Sequence, residues 1–535
     1  MQPNSLYYGD CLDWMSRWDD RSVDLIYLDP PFNSQADYNI LFGRTEGGAQ
    51  YKAFTDIWEW DDAAAERLDR CLNAIARPAH SVIVGMERML GPSGMLSYLT
   101  YMAERLEHCH RLLKPTGSIY LHCDANASHY LKLVLDAVFG PRQFRSDITW
   151  RRINRTGRGT RRLANNADNI LYYVKGTSFT WNQPYSAHDP MYVEKMYRHV
   201  DEAGRRYRRD NLKGAGLRKG DSGAPWKGVD PSETGSHWAI PNAALPDEIK
   251  ALSSQEKLDY LDDIGRIYWP PRGKVPSYVR YLDEMPGTPT DTIWDDVNSI
   301  GASSKERLGY PTQKPVKLLE RIVEASSNPG DLVLDPFCGC GTTIAAARKL
   351  NRRWVGIDID AFAIDIIRER LKDPAIAAYG IPYDLSGARR LARERPFAFE
   401  TWAVRRLAGF VPNTKQVADG GVDGRGTIWE QPEGDLTKLA LAQVKGGNFS
   451  LGSLRDFGHV IERDSAGLGC YLTLDRIDTS GARSEAARMG SVRIDGTPYP
   501  RMQRWSMAEY FDGLPPKLPL MADPYSGKPL QTRFI

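Results

Sequence analysis

The sequence predicts an α/β protein: a doubly wound sheet, interrupted by an irregular insertion and followed by a second α/β module. Three observations lead there. Apolar strand-like runs alternate with amphipathic helical stripes at both ends of residues 5–372; that regularity lapses from Trp150 to about Gly301; and a new pattern starts after Leu371. At 535 residues the chain is too long for one compact core, so two or three domains are expected.

Ser22 to Leu28 reads as a buried strand, stopped by Asp29-Pro30-Pro31-Phe32 because neither proline can donate to a ladder. Leu99, Met102, Leu106, Cys109 and Leu113 follow at steps of three and four, the stripe of a helix that Pro115-Thr116-Gly117 breaks. Ser118 to His122 is a second strand, and Asp124 can cap a helix with the core face Leu131, Val134, Leu135 and Val138. Beyond the insertion, a helix from Pro315 carries Val316, Leu319, Ile322 and Val323 on one face. A strand at Leu332–Leu334, a glycine loop, a helix from near Thr342 and a strand at Trp354–Ile357 complete a βαβ unit. A loop over 381–395 leads to the C-terminal module, and the final stretch is Pro-rich and weakly patterned.

A composition of 41% hydrophobic and 26% charged residues excludes wholesale disorder, and no apolar run is long enough to suggest a membrane span. Met1 to Asp10 shows no secretory pattern, and seven scattered cysteines make no disulfide framework, which points to a reducing cytoplasm. Net charge is only +2, so a nucleic-acid partner has to be argued from local clusters.

The loop Asp335-Pro336-Phe337-Cys338-Gly339-Cys340-Gly341-Thr342-Thr343 occupies a strand-to-helix turn. Its two glycines allow a tight turn and close approach of a ligand, and Asp358, ending the next strand, is placed to grip ribose hydroxyls. Ile344 stands where the dinucleotide fingerprint needs its third glycine, which disfavours a dehydrogenase, and no G-x-x-x-x-G-K-[ST] phosphate loop occurs. Asp29 ends a strand on the side where α/β sheets bind ligands. Its carboxylate and the Pro30 carbonyl make two adjacent acceptors, suited to the hydrogens of an exocyclic amine, and Phe32 offers a face for stacking a base.

Gly9-Asp10, Asp29-Pro30-Pro31-Phe32, Pro311-Thr312-Gln313-Lys314-Pro315 and Phe337-x-Gly339-x-Gly341, in that order, resemble a β-class amino-DNA methyltransferase of the N4/N6 family. The resemblance covers about residues 5–372. It implies a Rossmann-like methyltransferase sheet, S-adenosylmethionine as donor and double-stranded DNA as substrate, in the cytoplasm of a bacterial or phage-infected cell. It makes Asp29, Pro30, Pro31 and Phe32 catalytic, and assigns Asp10, Thr312, Lys314, Asp335, Phe337, Gly339, Gly341, Thr342 and Asp358 to the cofactor. In this family D-P-P-F usually accompanies adenine N6 and S-P-P-[YF] cytosine N4, so adenine is the leading target and cytosine N4 the alternative. The target base would have to be flipped out of its stack. Cytosine C5 chemistry, which in those enzymes uses a Pro-Cys nucleophile, is disfavoured because the chain has no such dipeptide.

Arg151, Arg152, Arg155, Arg158, Arg161 and Arg162 crowd twelve positions among glycines, and Arg205, Arg206, Arg208 and Arg209 surround Tyr207. These are read as phosphate contacts, with the base-reading elements expected between about Phe179 and Gly301. His108-Cys109-His110 and His122-Cys123-Asp124 invite a zinc reading, but adjacent helical residues cannot converge on one ion, so these are expected to be core.

In the C-terminal module, Glu400 lies on a helix, Asp423 follows Gly420-Gly421-Val422, and Gln443-x-Lys445 lies on a neighbouring strand. An acidic residue facing Gln-x-Lys can hold a divalent cation beside a lysine. The set resembles the Mrr-like branch of the PD-(D/E)xK restriction endonucleases, which implies an α/β nuclease-like domain with Asp423 as a ligand for Mg²⁺. Gln443 in place of the commoner Glu leaves cleavage open, and a non-catalytic DNA clamp is the competing reading. Another makes the protein chiefly a nuclease whose methyltransferase half recognises DNA. The expected segments are a catalytic half (1–150), a DNA-recognition insertion (151–301), a cofactor half (302–380), a linker (381–395), the nuclease-like domain (396–480) and a C-terminal extension (481–535). Such a pairing suits restriction–modification or phage defence, as monomer or homodimer, with any partner subunits of the restriction system left open and no membrane association.

Overall fold

The computed structural model describes residues 1–31, 37–40, 51–55, 58–152, 165–242, 245–271, 275–301, 304–308, 310, 313–413, 420–430, 432, 435–524 and 529–530. Phe32, Thr312, Arg155, Arg158, Arg161 and Arg162 lie outside them. The chain forms two compact units, residues 183–290 and the remainder.

The larger unit is built on a nine-stranded sheet. Its strands are β1 (Ser5–Tyr8), β2 (Val23–Leu28), β3 (Leu113–Cys123), β4 (Phe144–Arg151), β5 (Ala167–Val174), β6 (Ile293–Trp294), β7 (Leu332–Asp335), β8 (Arg353–Asp358) and β9 (Ala378–Tyr379). They lie in the order β6-β4-β5-β3-β2-β7-β8-β1-β9, and β5 alone is antiparallel to its neighbours. Side chains alternate across this sheet as a period of two requires. Leu25, Tyr27 and Val333 enter one core, while Ile26, Leu28 and Leu334 enter the other; Val23, before a register shift, joins the second. Both faces are therefore covered, as doubly wound parallel strands require.

The helices that matter to the site are α1 (Cys11–Met15), α2 (Gly94–Leu112), α3 (Ser128–Phe139), α4 (Val316–Ser326), α5 (Thr342–Lys349) and α6 (Ala361–Leu371). The expected apolar stripes face the core: Leu99, Met102, Leu106 and Cys109 on α2, and Leu319, Ile322 and Val323 on α4, are all buried. Asp124 sits one turn ahead of α3, its carboxylate accepting the N–H of Ala127 at 3.0 Å.

Three boundaries differ from expectation. The insertion is narrower than 151–301: β5 belongs to the main sheet, where its apolar run 170–174 pairs with β3 and β4. The linker 381–395 contains a helix, α7 (Leu385–Glu394), because Ala388, Leu391 and Ala392 supply an apolar face that joins the core. The C-terminal module runs past 480. Its five-stranded sheet comprises β10 (Phe410–Pro412), β11 (Gly424–Thr427), β12 (Thr437–Lys445), β13 (Ala466–Thr473) and β14 (Met502–Ser506) in sequential order. β14 lies parallel to β13 and buries Trp505, which makes it part of the domain and not an extension. Helix α8 (Pro396–Val404) packs Phe399, Trp402 and Ala403 into the same apolar core as Leu6 of the first sheet and Ile364 and Ile367 of α6. The two sheets of this unit thus share one core.

The smaller unit has its own core of Leu212, Trp226, Trp238, Leu258 and Leu261. A four-stranded sheet orders Ile267–Tyr268, Ser277–Tyr281, Arg206–Asn211 and His199–Val200. Tyr185–Ser186 pairs with Thr288–Pro289, which brings the two ends of the unit together. Among the described residues, no helix is long and apolar enough to cross a membrane.

Candidate active site

β2 and β7 are adjacent and parallel, so the Asp29-Pro30-Pro31 turn and the glycine loop emerge at the same edge of the sheet. Gly339 (φ +48°) and Gly341 (φ +72°) are both left-handed, a region that penalises a Cβ. A Cβ on Gly341 would lie 2.6 Å from Ile367 Cγ1, and one on Gly339 would lie 3.2 Å from the Tyr310 ring. Conformation and close packing therefore both select glycine here.

Two carboxyls frame this loop, Asp335 buried and Asp358 half-buried. Asp335 accepts the Phe337 N–H at 3.0 Å; burial pushes its carboxyl up to about 7, with Asp29 and Asp358 adding to the rise. Asp358 accepts the N–H groups of Gly339 (2.7 Å) and Asp360 (2.8 Å), and burial pushes it up to about 7 as well, with Asp360 adding to the rise. The residue expected to grip ribose thus also holds the loop. Thr342 is tied inward, its hydroxyl donating to the Lys314 carbonyl (3.2 Å) and accepting from Arg370 (3.1 Å).

Lys314, expected along the cofactor pocket, places its ammonium 2.5 Å from an Asp29 oxygen. The two residues are 285 positions apart, so no local pattern could pair them. Asp10 caps α1 through the Leu12 N–H (2.8 Å) and is held by the buried Arg105 at 2.6 Å. The Arg105 guanidinium lies 3.2 Å from the centre of the Tyr101 ring, which in turn neighbours Phe337 and Trp58. These cationic and aromatic groups form a wall that the sequence did not reveal.

A polar chain that starts two residues before Asp29 was not foreseen. Tyr27, two residues before Asp29, shares a 2.9 Å hydrogen bond with His122 Nδ1; His122 Nε2 lies 3.1 Å from Asp168, and Arg152 pairs with Asp168 at 3.1 Å. Burial raises the Asp168 carboxyl, but the bond to His122 and the charges of His122, Arg152 and Lys314 outweigh it, leaving it below its ordinary value. Arg151 faces Asp295 at 3.5 Å. His122 and Cys109 are core residues, and among the described residues no three His, Cys, Asp or Glu side chains are grouped to hold a metal ion.

A family of DNA methylases, N6/N4 type, matches residues 23–369. The chain belongs to the N6/N4 DNA methylase family. It is 31% identical over 370 residues to the Type II methyltransferase M.EcaI of Enterobacter cloacae, covering 69% of each chain. It is 28% identical over 366 residues to the Type III restriction-modification enzyme StyLTI Mod subunit of Salmonella typhimurium, covering 65% of this chain and 50% of that one. The DNA adenine methyltransferase YhdJ of Escherichia coli is 23% identical over 371 residues, 69% of this chain and 83% of its own.

The methylase carries the second predicted residue set on the sheet beyond that match. Asp423 precedes β11 and its Oδ2 accepts the Val444 N–H at 2.6 Å, between Gln443 and Lys445. Gln443 is buried, and its amide oxygen has no hydrogen-bond partner among the described residues. Glu400 lies on α8, whose Phe399 packs 3.0 Å from a Cβ position on Gly446.

Proposed function

We propose that this methylase transfers the methyl group of S-adenosylmethionine to N6 of an adenine flipped out of double-stranded DNA, within a restriction–modification or phage-defence system. The observation that carries the reading is a strand-end carboxylate, Asp29, followed by two prolines that leave the Pro30 carbonyl as a fixed acceptor, at the sheet edge shared with the glycine loop. The relative named for adenine supports N6; cytosine N4 remains the alternative target.

The residues present fit the cofactor. Asp335, buried, and Asp358, half-buried, are carboxyls with little opposing charge, a donor set suited to a cationic ligand bearing hydroxyls. Gly339, Gly341, Phe337 and Asp10 would hold it with them, and Thr342 ties the loop to the Lys314 carbonyl. When bound, the cofactor supplies a methyl group on a cationic sulfur. Asp29 and the Pro30 carbonyl accept the hydrogens of the target amine, which moves its lone pair out of conjugation and toward that methyl. Lys314 yields its place on Asp29 to the amine, and the proton lost on transfer passes to an Asp29 oxygen. Positioning and electrostatics do the catalysis.

The insertion supplies an Arg- and aromatic-bearing sheet face suited to DNA. His199 stacks on Tyr207, and the exposed Arg209 lies 3.4 Å from the centre of the Tyr268 ring. For the C-terminal module, the Asp423–Val444 bond and the buried Gln443 favour the Mrr-like reading. Mg²⁺ has one expected carboxylate ligand there, Asp423, which favours DNA binding over cleavage.

Long-read modification mapping of DNA methylated by the wild type is expected to show N6-methyladenine in one sequence context. Asp29→Ala should remove it, on the order of 10³-fold or more, and Lys445→Ala should leave it intact. N4-methylcytosine alone would shift the assignment to cytosine, and loss of methylation in a folded Lys445→Ala protein would contradict the division of labour. Incubation of unmethylated plasmid with Mg²⁺ or Mn²⁺ separates nuclease from clamp.

A further inference from the structure

Helix α6 connects two parts of the larger unit that the sequence treats as separate. Its second half buttresses the glycine loop: Ile367 fills the space beside Gly341, and Arg370 donates to the Cys340 carbonyl and the Thr342 hydroxyl, each at 3.1 Å. The C-terminal module grips its first half and the residue ahead of it. Arg405, buried, donates to Asp360 at 2.9 Å, and Arg406 donates to Asp365 at 2.9 Å while also reaching the Tyr510 hydroxyl at 3.3 Å. Arg395 packs over Gly9, whose N–H donates to the Asp358 carbonyl at 2.8 Å, and the Tyr8 hydroxyl donates to the Ala398 carbonyl at 3.0 Å.

These contacts are too costly to be incidental. The Arg405 guanidinium is out of water and needs its carboxylate, so it cannot leave Asp360 without a penalty; Arg406 is nearly as enclosed, though its partner Asp365 is exposed. Ile364 and Ile367 of α6 lie in the same apolar core as Ala403 and Val404 of α8, so the helix cannot shift without disturbing the module's packing. An α-helix of this length, about 16 Å, transmits a displacement at one end to the other.

We infer that the C-terminal module positions the glycine loop through α6, and that Arg405 and Arg406 are positioning residues of the cofactor site, 45 and 41 residues from the aspartates they hold. This rests on the reading that the glycine loop holds S-adenosylmethionine. The module therefore sets cofactor affinity, and the bound cofactor stabilises the module, because such coupling is reciprocal.

The test measures S-adenosylhomocysteine binding by calorimetry, together with the KM for S-adenosylmethionine, the KM for DNA and kcat. Arg406→Ala should raise the cofactor KM and the S-adenosylhomocysteine Kd together, by roughly 5- to 150-fold, with kcat at saturating cofactor and the DNA KM within about twofold of wild type. Arg406→Lys should recover part of the loss. A folded Arg406→Ala protein with wild-type cofactor affinity, or one in which both KM values rise and kcat falls together, overturns the inference. The wild-type chain gives an independent measurement: S-adenosylhomocysteine should slow hydrogen exchange in β12 and β13, and unchanged exchange there also overturns it. Wild type that binds no S-adenosylhomocysteine at all would instead remove the reading beneath it, and the inference with it.

Discussion

Asp335 and Asp358 titrate near 7 in the fold instead of 3.8, first because burial disfavours their charged forms. The folded chain then holds those protons more tightly than the unfolded chain. Their contribution to stability is complete below pH 3.8 and is lost as the pH rises through about 7. A cationic ligand reverses the preference, since it favours the ionised carboxylates beside it. S-adenosylmethionine affinity is accordingly expected to rise between about pH 6 and 8, with protons released on binding. Calorimetry in buffers of different ionisation enthalpy reads that release; a flat pH profile with no proton release would contradict it. At this scale the sequence identified Asp29, Asp335 and Asp358 because each ends a strand or begins a turn. It did not pair Lys314 with Asp29, and it set His122 in the core without linking it to Tyr27 or Asp168, because those partners come from segments distant in the chain.

At the scale of elements, the glycine loop shows local sequence and tertiary packing agreeing. A left-handed backbone alone makes a substitution at Gly341 unfavourable, and Ile367 of α6 leaves no room for a Cβ. Gly341→Ala is expected to cost roughly 2–4 kcal/mol, the sum of backbone strain and overpacking. Thermal unfolding measures the loss, and cofactor binding should weaken in parallel; an Ala variant as stable as wild type would show that α6 can retreat. Helices α2 and α4 were legible because their apolar residues recur at three and four. Helix α7 was not, because 385–394 carries few large apolar residues and its short stripe acquires meaning only against the core it joins.

For the whole molecule, the insertion and the C-terminal module differ in kind. Residues 183–290 have their own core, and their ends meet where Tyr185–Ser186 pairs with Thr288–Pro289. Replacing 183–290 with a short Gly/Ser linker should preserve cooperative unfolding and S-adenosylhomocysteine binding while abolishing methylation at the mapped sequence. Loss of the fold would mean that the insertion is structural and not only recognitive. The C-terminal module offers no such cut, since Phe399, Trp402 and Ala403 belong to the core that also contains Leu6 and Ile364.

The sequence by itself determined the α/β class, the order of the Asp-Pro-Pro-Phe and glycine-loop motifs, and the residues at the glycine loop. All of these depend on short-range rules: periodicity, proline and glycine geometry, and the residues that end strands. Tertiary structure alone decided that Lys314 meets Asp29, that a buried histidine links Tyr27 to Arg152 through Asp168, and that the second sheet shares its core with the first. Those facts are contacts between segments distant in the chain, and a pairing set by how elements pack leaves no periodic mark on either partner.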